Sequence, residues 1–275
     1  SLIKMSYKAI HIVCDENTEE NLSFLLNEIG FSGTSYENGR LIGYCETAAY
    51  NEDKLNEVLN IFNLVPELIA EEKEQNWNQT WEDNFKDSDI GNNIHIRAPF
   101  QPKKDVEFDI VILPKMAFGT GHHETTQLSA LALEKLDCSE KSVLDMGCGS
   151  GVLAILASKK GANRVVAIDY DIHSVENTKE NIQLNLTENV EVIHADSVTQ
   201  LTEKFDIIVS NIVKNINLAL LPQFVAKLKP GGHLILCGFL QEDADQLKIA
   251  AAAQHLSFIS QNTQNGWLQT QFSFN

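Results

Sequence analysis

The chain has 275 residues, 43 % hydrophobic and 21 % charged, ordinary proportions for a globular protein with a core, which excludes wholesale disorder and a collagen-like architecture. At about 150 residues per domain, the length suggests one large domain with a smaller one. The formal charge of −17 is uneven: residues 1–88 hold 17 acids and 6 bases, the remainder 21 acids and 15 bases. Such a field repels nucleic acid and anionic membrane and draws a basic partner towards the N-terminal third.

Ser1–Met5 carries no basic segment followed by an apolar core, and no apolar stretch approaches the roughly 18 residues of a membrane span. Cys14, Cys45, Cys138, Cys148 and Cys237 are widely spaced with no Cys-x-x-Cys. A cytoplasmic, reduced chain is expected. Tyr7–Cys14 reads as a strand, and Thr18–Gly30 as a helix through Leu22, Leu25, Leu26 and Ile29. Gly33–Glu46 reads as a hairpin turning at Asn38-Gly39. Asn51–Asn63 is helical through Leu55, Val58, Leu59 and Phe62, and Leu64–Ala70 supplies a last strand. The order β-α-β-β-α-β predicts a ferredoxin-like α+β domain over residues 1–73.

Glu71–Asp87 is polar apart from Trp77, Trp81 and Phe85, four residues apart and so on one face of a helix. A linker helix is expected here, taken as 74–88, with its aromatic stripe packed on a neighbouring domain. Beyond it, over 89–275, apolar runs at Ser142–Met146, Arg164–Asp169, Val190–His194, Phe205–Asn211 and His233–Phe239 alternate with helical segments. Those segments are Glu124–Leu136, Gly151–Lys160, Asp171–Leu186, Ile216–Leu228 and Glu242–Ala253. The alternation predicts an α/β domain with a doubly wound, mostly parallel sheet.

The chemistry centres on Asp145-Met146-Gly147-Cys148-Gly149-Ser150-Gly151, where a strand ends and a glycine-rich turn opens a helix. The dinucleotide pattern Gly-x-Gly-x-x-Gly is not met, because Val152 stands where its third glycine belongs. An acid directly before the loop disfavours a diphosphate and suits a cationic ligand, and S-adenosylmethionine (SAM) carries an ammonium and a sulfonium. Asp169, ending the next strand, is placed to accept both ribose hydroxyls; a helix N-cap is the competing reading, for which Asp171 is the better candidate. Asp196, after the third strand, is a candidate for the adenine edge or a plain loop acid. Asn211 ends the fourth strand, where an amide can accept the hydrogens of an amine and direct its lone pair.

Upstream, Met116-Ala117-Phe118-Gly119-Thr120-Gly121 leads into His122-His123-Glu124-Thr125-Thr126, with Thr126 near the start of the next helix. Adjacent His122, His123 and Glu124 do not share a helix face, so no metal is expected. Phe118 and His122 are candidate positioning groups beside the acceptor. Together with His123, Thr125-Thr126, the Gly147–Gly151 loop, Asn211-Ile212 and Trp77…Trp81, this element resembles the ribosomal protein L11 methyltransferase (PrmA) family over nearly the whole chain. The resemblance implies a class I SAM-dependent methyltransferase whose small N-terminal domain grips a basic ribosomal protein. It implies N-methylation of lysine side chains and the terminal α-amine, with Thr126, Gly147, Asp169 and Asn211 binding SAM. The chain departs from the family pattern at Leu113, Lys115, His122, Glu124, Val213 and Lys214, beside the acceptor channel. Two other readings keep the same loop: a methyltransferase for another protein or a small molecule, and a non-catalytic SAM-binding module.

Overall fold

A computed structural model describes residues 6–73, 85–113 and 121–275. The chain divides into two compact units, one ending before Phe85 and one running from Phe85 to Asn275.

In the first unit, β1 (Ser6–Val13), β2 (Gly33–Glu37), β3 (Arg40–Glu46) and β4 (Pro66–Lys73) form an antiparallel sheet in the order β2-β3-β1-β4. The ferredoxin-like expectation requires this order. Asn38 and Gly39 both adopt positive φ (54° and 76°), the geometry of a two-residue hairpin turn with right-handed strand twist. Helix α1 (Glu16–Glu28) begins at Asp15, whose carboxylate accepts from Thr18 N at 2.8 Å; α2 (Glu52–Ile61) begins at Asn51, which accepts from Lys54 N at 3.0 Å. Leu22 and Leu26 of α1 and Leu55 and Leu59 of α2 bury against Ile10, Ile12 and Leu41 of the sheet.

The linker helix expected over 74–88 is corrected at its C-terminal end, and β4 runs three residues past the strand expected at Leu64–Ala70. Glu71–Lys73 complete β4, in register with Lys8, Tyr7 and Ser6 of β1, so strand pairing overrides helix-forming Glu and Lys. Phe85–Asp87 are irregular, and Ser88 opens a strand. Trp77, Trp81 and the rest of the 74–84 stretch lie outside the described residues.

The second unit is built on seven strands: β8 (Ser142–Met146), β9 (Arg164–Asp169), β10 (Val190–His194), β11 (Phe205–Asn211), β12 (Leu228–Leu240), β13 (Leu256–Gln264) and β14 (Trp267–Phe274). Their order is β10-β9-β8-β11-β12-β14-β13, parallel through β12, with β14 antiparallel to both neighbours. Chain order runs outward from β8 to β10, then resumes on its other side at β11. The topological switch point is therefore between β8 and β11, where such sheets hold ligands at their carboxyl ends. Helices α4 (Val152–Lys159) and α5 (Ile172–Asn185) make the first two crossovers and α6 (Lys214–Lys227) the crossover from β11 to β12. Helix α3 (Glu124–Glu134) precedes β8, and α7 (Ala244–Ala253) precedes the terminal hairpin. Among the described residues, Phe205, Phe224, Phe239 and Phe272 are the largest fully buried side chains.

Two elements go beyond the sequence expectations. One is the β13–β14 hairpin, turning at Asn265-Gly266 with φ of 48° and 83°. The other is a small sheet of β5 (Ser88–Ile90), β6 (Ile94–Arg97) and β7 (Phe108–Val111). Among the described residues no helix is long and apolar enough to cross a membrane.

Candidate active site

Strand β8 is buried along its whole length and delivers the chain into the turn Gly147–Gly151. Gly147, Gly149 and Gly151 have φ of 78°, 54° and 83°, a left-handed run that residues with a Cβ adopt only under strain. Two of them also lie too close to neighbours for a side chain: a Cβ on Gly147 would fall 2.1 Å from Ile212 Cγ2, and one on Gly151 2.8 Å from Thr178 Cγ2. The turn is pinned from β9, since Gly147 N and Cys148 N donate to Ile168 O at 2.8 and 3.0 Å. It is pinned again from α5, where Thr178 Oγ1 donates to Gly149 O and Asn181 Nδ2 to Ser150 O, both at 2.8 Å.

The expected residues separate into a cleft and its supports. Thr126, Gly147, Gly149 and Asn211 line one cleft at the switch point, with Cys148, Ser150, Val152 and Leu153. Thr126 lies in the first turn of α3, which His123 caps by accepting from Thr125 N at 3.2 Å. The Thr126 hydroxyl is buried without a hydrogen-bond partner, a site that a ligand donor or acceptor would satisfy.

Asp145 is not in the cleft wall. It is sealed beneath the turn with no exposure, and its Oδ2 accepts from Ala154 N at 3.1 Å, serving the first turn of α4 from the preceding strand. Burial raises its pKa to about 7, against the lowering effect of the Ala154 N–H, while the Asp169 charge adds to the rise. Asp169 is placed similarly: Oδ2 accepts from Gly149 N at 2.9 Å and Oδ1 from Asp171 N at 3.0 Å, and burial raises its pKa too. Asp171 is the N-cap of α5, accepting from His173 N at 3.0 Å. Asp169 thus shapes the turn as well as ending its strand.

Asp196 is exposed beyond β10. His122 is exposed, its ring edge-on to Phe85 with centroids 5.3 Å apart. Phe118 lies outside the described residues. The small sheet holds both flanks of 114–120: β7 runs towards Leu113, and Ser88 Oγ on β5 donates to Gly121 O at 3.0 Å.

Sequence reasoning missed the polar stripe of α5. Asn181 Oδ1 accepts from Leu113 N at 2.8 Å while its Nδ2 holds Ser150 O. Asn185 accepts from Val111 N at 2.9 Å and donates to Val111 O at 2.6 Å, so its amide imitates a neighbouring strand. The available signal is Asn177, Thr178, Asn181 and Asn185 on one helical face, interior polar spacing that is easily taken for a solvated surface.

The cradle suits SAM: three left-handed glycines bring backbone close to a ligand, and an unsatisfied hydroxyl and an amide face the same cleft. The family model for ribosomal protein L11 methyltransferase (PrmA) matches residues 57–274. A ribosomal protein L11 methyltransferase of Phocaeicola vulgatus is 38% identical over 268 residues, covering 94% of this chain and 95% of that protein. One from Bacteroides thetaiotaomicron is 36% identical over 270 residues, covering 95% and 96%. Among solved structures, a ribosomal protein L11 methylase from Lactobacillus delbrueckii subsp. bulgaricus superposes with a TM-score of 0.65 at 29% identity, covering 70% of this chain and 100% of that one. A 16S rRNA N2 methyltransferase from Thermus thermophilus, determined with AdoMet and guanosine, shares the fold with a TM-score of 0.51 at 23% identity, covering 60% and 46%.

Proposed function

The chain belongs to the ribosomal protein L11 methyltransferase (PrmA) family, and on that premise we propose how its residues methylate lysine side chains and the terminal α-amine of ribosomal protein L11. The observation that carries the site reading is the convergence of Thr126, Gly147, Gly149 and Asn211 on one cleft at the sheet's switch point. SAM, when bound there, supplies an electrophilic methyl group on a cationic sulfur.

The turn Gly147–Gly151 gives the cofactor backbone contact, and the Thr126 hydroxyl gives it a partner. Asp169 accepts backbone N–H groups from Gly149 and Asp171, and its carboxylate is assigned the pair of ribose hydroxyls as well. Asp196 is assigned to the adenine edge. A free lysine amine has a pKa of about 10.4, so the acceptor must lose its proton to water before attack. As the N–CH3 bond forms, the S–CH3 bond breaks and the sulfur leaves as a neutral thioether. Desolvation of the bound amine and a neighbouring cation both favour its neutral form. The Asn211 carbonyl then accepts an amine N–H and aims the lone pair; its contribution is orientation. His122, turned towards Phe85, is assigned no step.

The acidic N-terminal unit is assigned to docking the basic substrate, and the negative field argues against direct nucleic-acid binding. A ribosomal substrate and five free cysteines support assigning the chain to the cytoplasm. The test is incubation with methyl-labelled SAM and total ribosomal protein. Label in L11 with the native chain, and little with Asn211→Ala, is the expected result. Label only elsewhere, or tight SAM binding with no transfer, overturns the proposal.

A further inference from the structure

We infer that Asn217 is a positioning residue for methyl transfer, acting through Ile212 on Asn211; this rests on the reading of Asn211 given above. Asn217 lies one turn into α6, with no solvent exposure. Its Nδ2 donates to Ile212 O at 2.9 Å and to Cys237 O at 2.8 Å. One amide therefore ties the carboxyl end of β11 to Cys237 of β12, beside the switch point. Its Oδ1 has no partner, so the donor end does the holding.

Ile212 is constrained on two further sides. A Cβ on Gly147 would fall 2.1 Å from Ile212 Cγ2, and a Cβ on Gly238 would fall 1.9 Å from Ile212 O. Only glycine leaves this room, and both glycines have positive φ, 78° and 94°. The residue directly after Asn211 thus has its side chain against the cofactor turn and its carbonyl against β12, with Asn217 holding that carbonyl. Helix α6 has no side-chain cap at Val213 to fix the segment independently. Freeing Ile212 O lets the β11 end shift and carries the Asn211 amide with it. A displacement near 1 Å at a reacting centre costs about 100-fold in rate.

The test uses the full chain and compares Asn217→Leu, Asn211→Ala and the double variant. Three quantities are read: kcat with both substrates saturating, SAM affinity by calorimetry, and thermal stability. Asn217→Leu should lower kcat about 30-fold or more, well beyond any fall in SAM affinity. The double variant should lose little beyond Asn211→Ala, because the two act on one amide. Asn217→Ser, which keeps a short donor, should recover part of the loss, and it serves if the leucine variant does not fold. Full kcat in the Asn217 variants beside a depressed Asn211→Ala overturns this inference alone, as does a double variant with multiplied losses. Full kcat in Asn211→Ala overturns the Asn211 reading and the inference with it.

Discussion

The two units spend their interiors differently. Among the described residues, every polar or charged residue that is buried lies at or beyond Ser88. The N-terminal core is apolar, Ile10, Leu22, Leu41 and Leu55 and their neighbours, with carboxylates such as Asp15 left at the surface. The second unit buries Thr126, Asp145, Asp169, Asn181, Asn211 and Asn217, each at a desolvation cost that apolar residues avoid. Those side chains hold the ends of β8, β9 and β11 or face the cleft. The first interior is built for folding, the second for holding backbone in conformations that a ligand needs.

Matched glycine substitutions should break this comparison most sharply. Gly30 and Gly147 both have positive φ, but a Cβ on Gly30 meets nothing within 4 Å, whereas one on Gly147 meets Ile212 at 2.1 Å. Gly30→Ala should cost about 1 kcal/mol of stability, the left-handed strain alone, and leave SAM affinity unchanged. Gly147→Ala adds overpacking, about 3 kcal/mol or more in total. SAM affinity should fall at least about 100-fold by calorimetry, equivalent to 2.7 kcal/mol. Equal effects at the two sites would erase the distinction between the interiors.

Acid titration sharpens it next, because the two regions should respond with opposite sign. Asp145 is raised to about 7 by burial, so the fold favours its protonated form. That contribution is whole below the unfolded carboxylate range and is lost as pH rises through about 7, a change of up to about 4 kcal/mol. Asp15 is lowered by the Thr18 hydrogen bonds, so its contribution is present above the unfolded value and lost as pH falls. Urea unfolding from pH 4 to 8 should show Asp145→Asn gaining on the native chain as pH rises. A pH-independent difference would show that Asp145 is ionised in the fold throughout.

The same contrast explains what the sequence disclosed. Strands β8, β9, β10 and β11 fall on the residues read from it, because continuous β-branched runs have few other places to go. The Gly147 turn was legible because glycine spacing is written in backbone requirements. The terminal hairpin carried its own turn, Asn265-Gly266, but Gln261-Asn262-Thr263-Gln264 breaks the apolar alternation before it. Asn181, Asn185 and Asn217 were not legible: each has a backbone partner twenty or more residues away, and an asparagine on a helix reads as solvated until the packing is known.

The smallest effect concerns the surface of the first unit. If its net charge of −11 over residues 1–88 steers a basic substrate, neutralising exposed acids there should slow encounter while leaving the chemistry alone. Glu37, Glu57 and Glu71 are all exposed. The triple variant Glu37→Gln, Glu57→Gln, Glu71→Gln should lose about threefold in kcat/KM for the protein substrate at low salt. Its kcat at saturation and its SAM affinity should not move, since the cofactor cradle belongs to the second unit. Raising salt from roughly 50 to 500 mM shortens the Debye length from above 10 Å to a few Å. Native and variant kcat/KM should therefore both fall and converge. The competing account is that these acids serve solubility alone. It requires kcat/KM to be independent of salt and the triple variant to match the native chain at every ionic strength, and either result would remove steering from the role of the N-terminal unit.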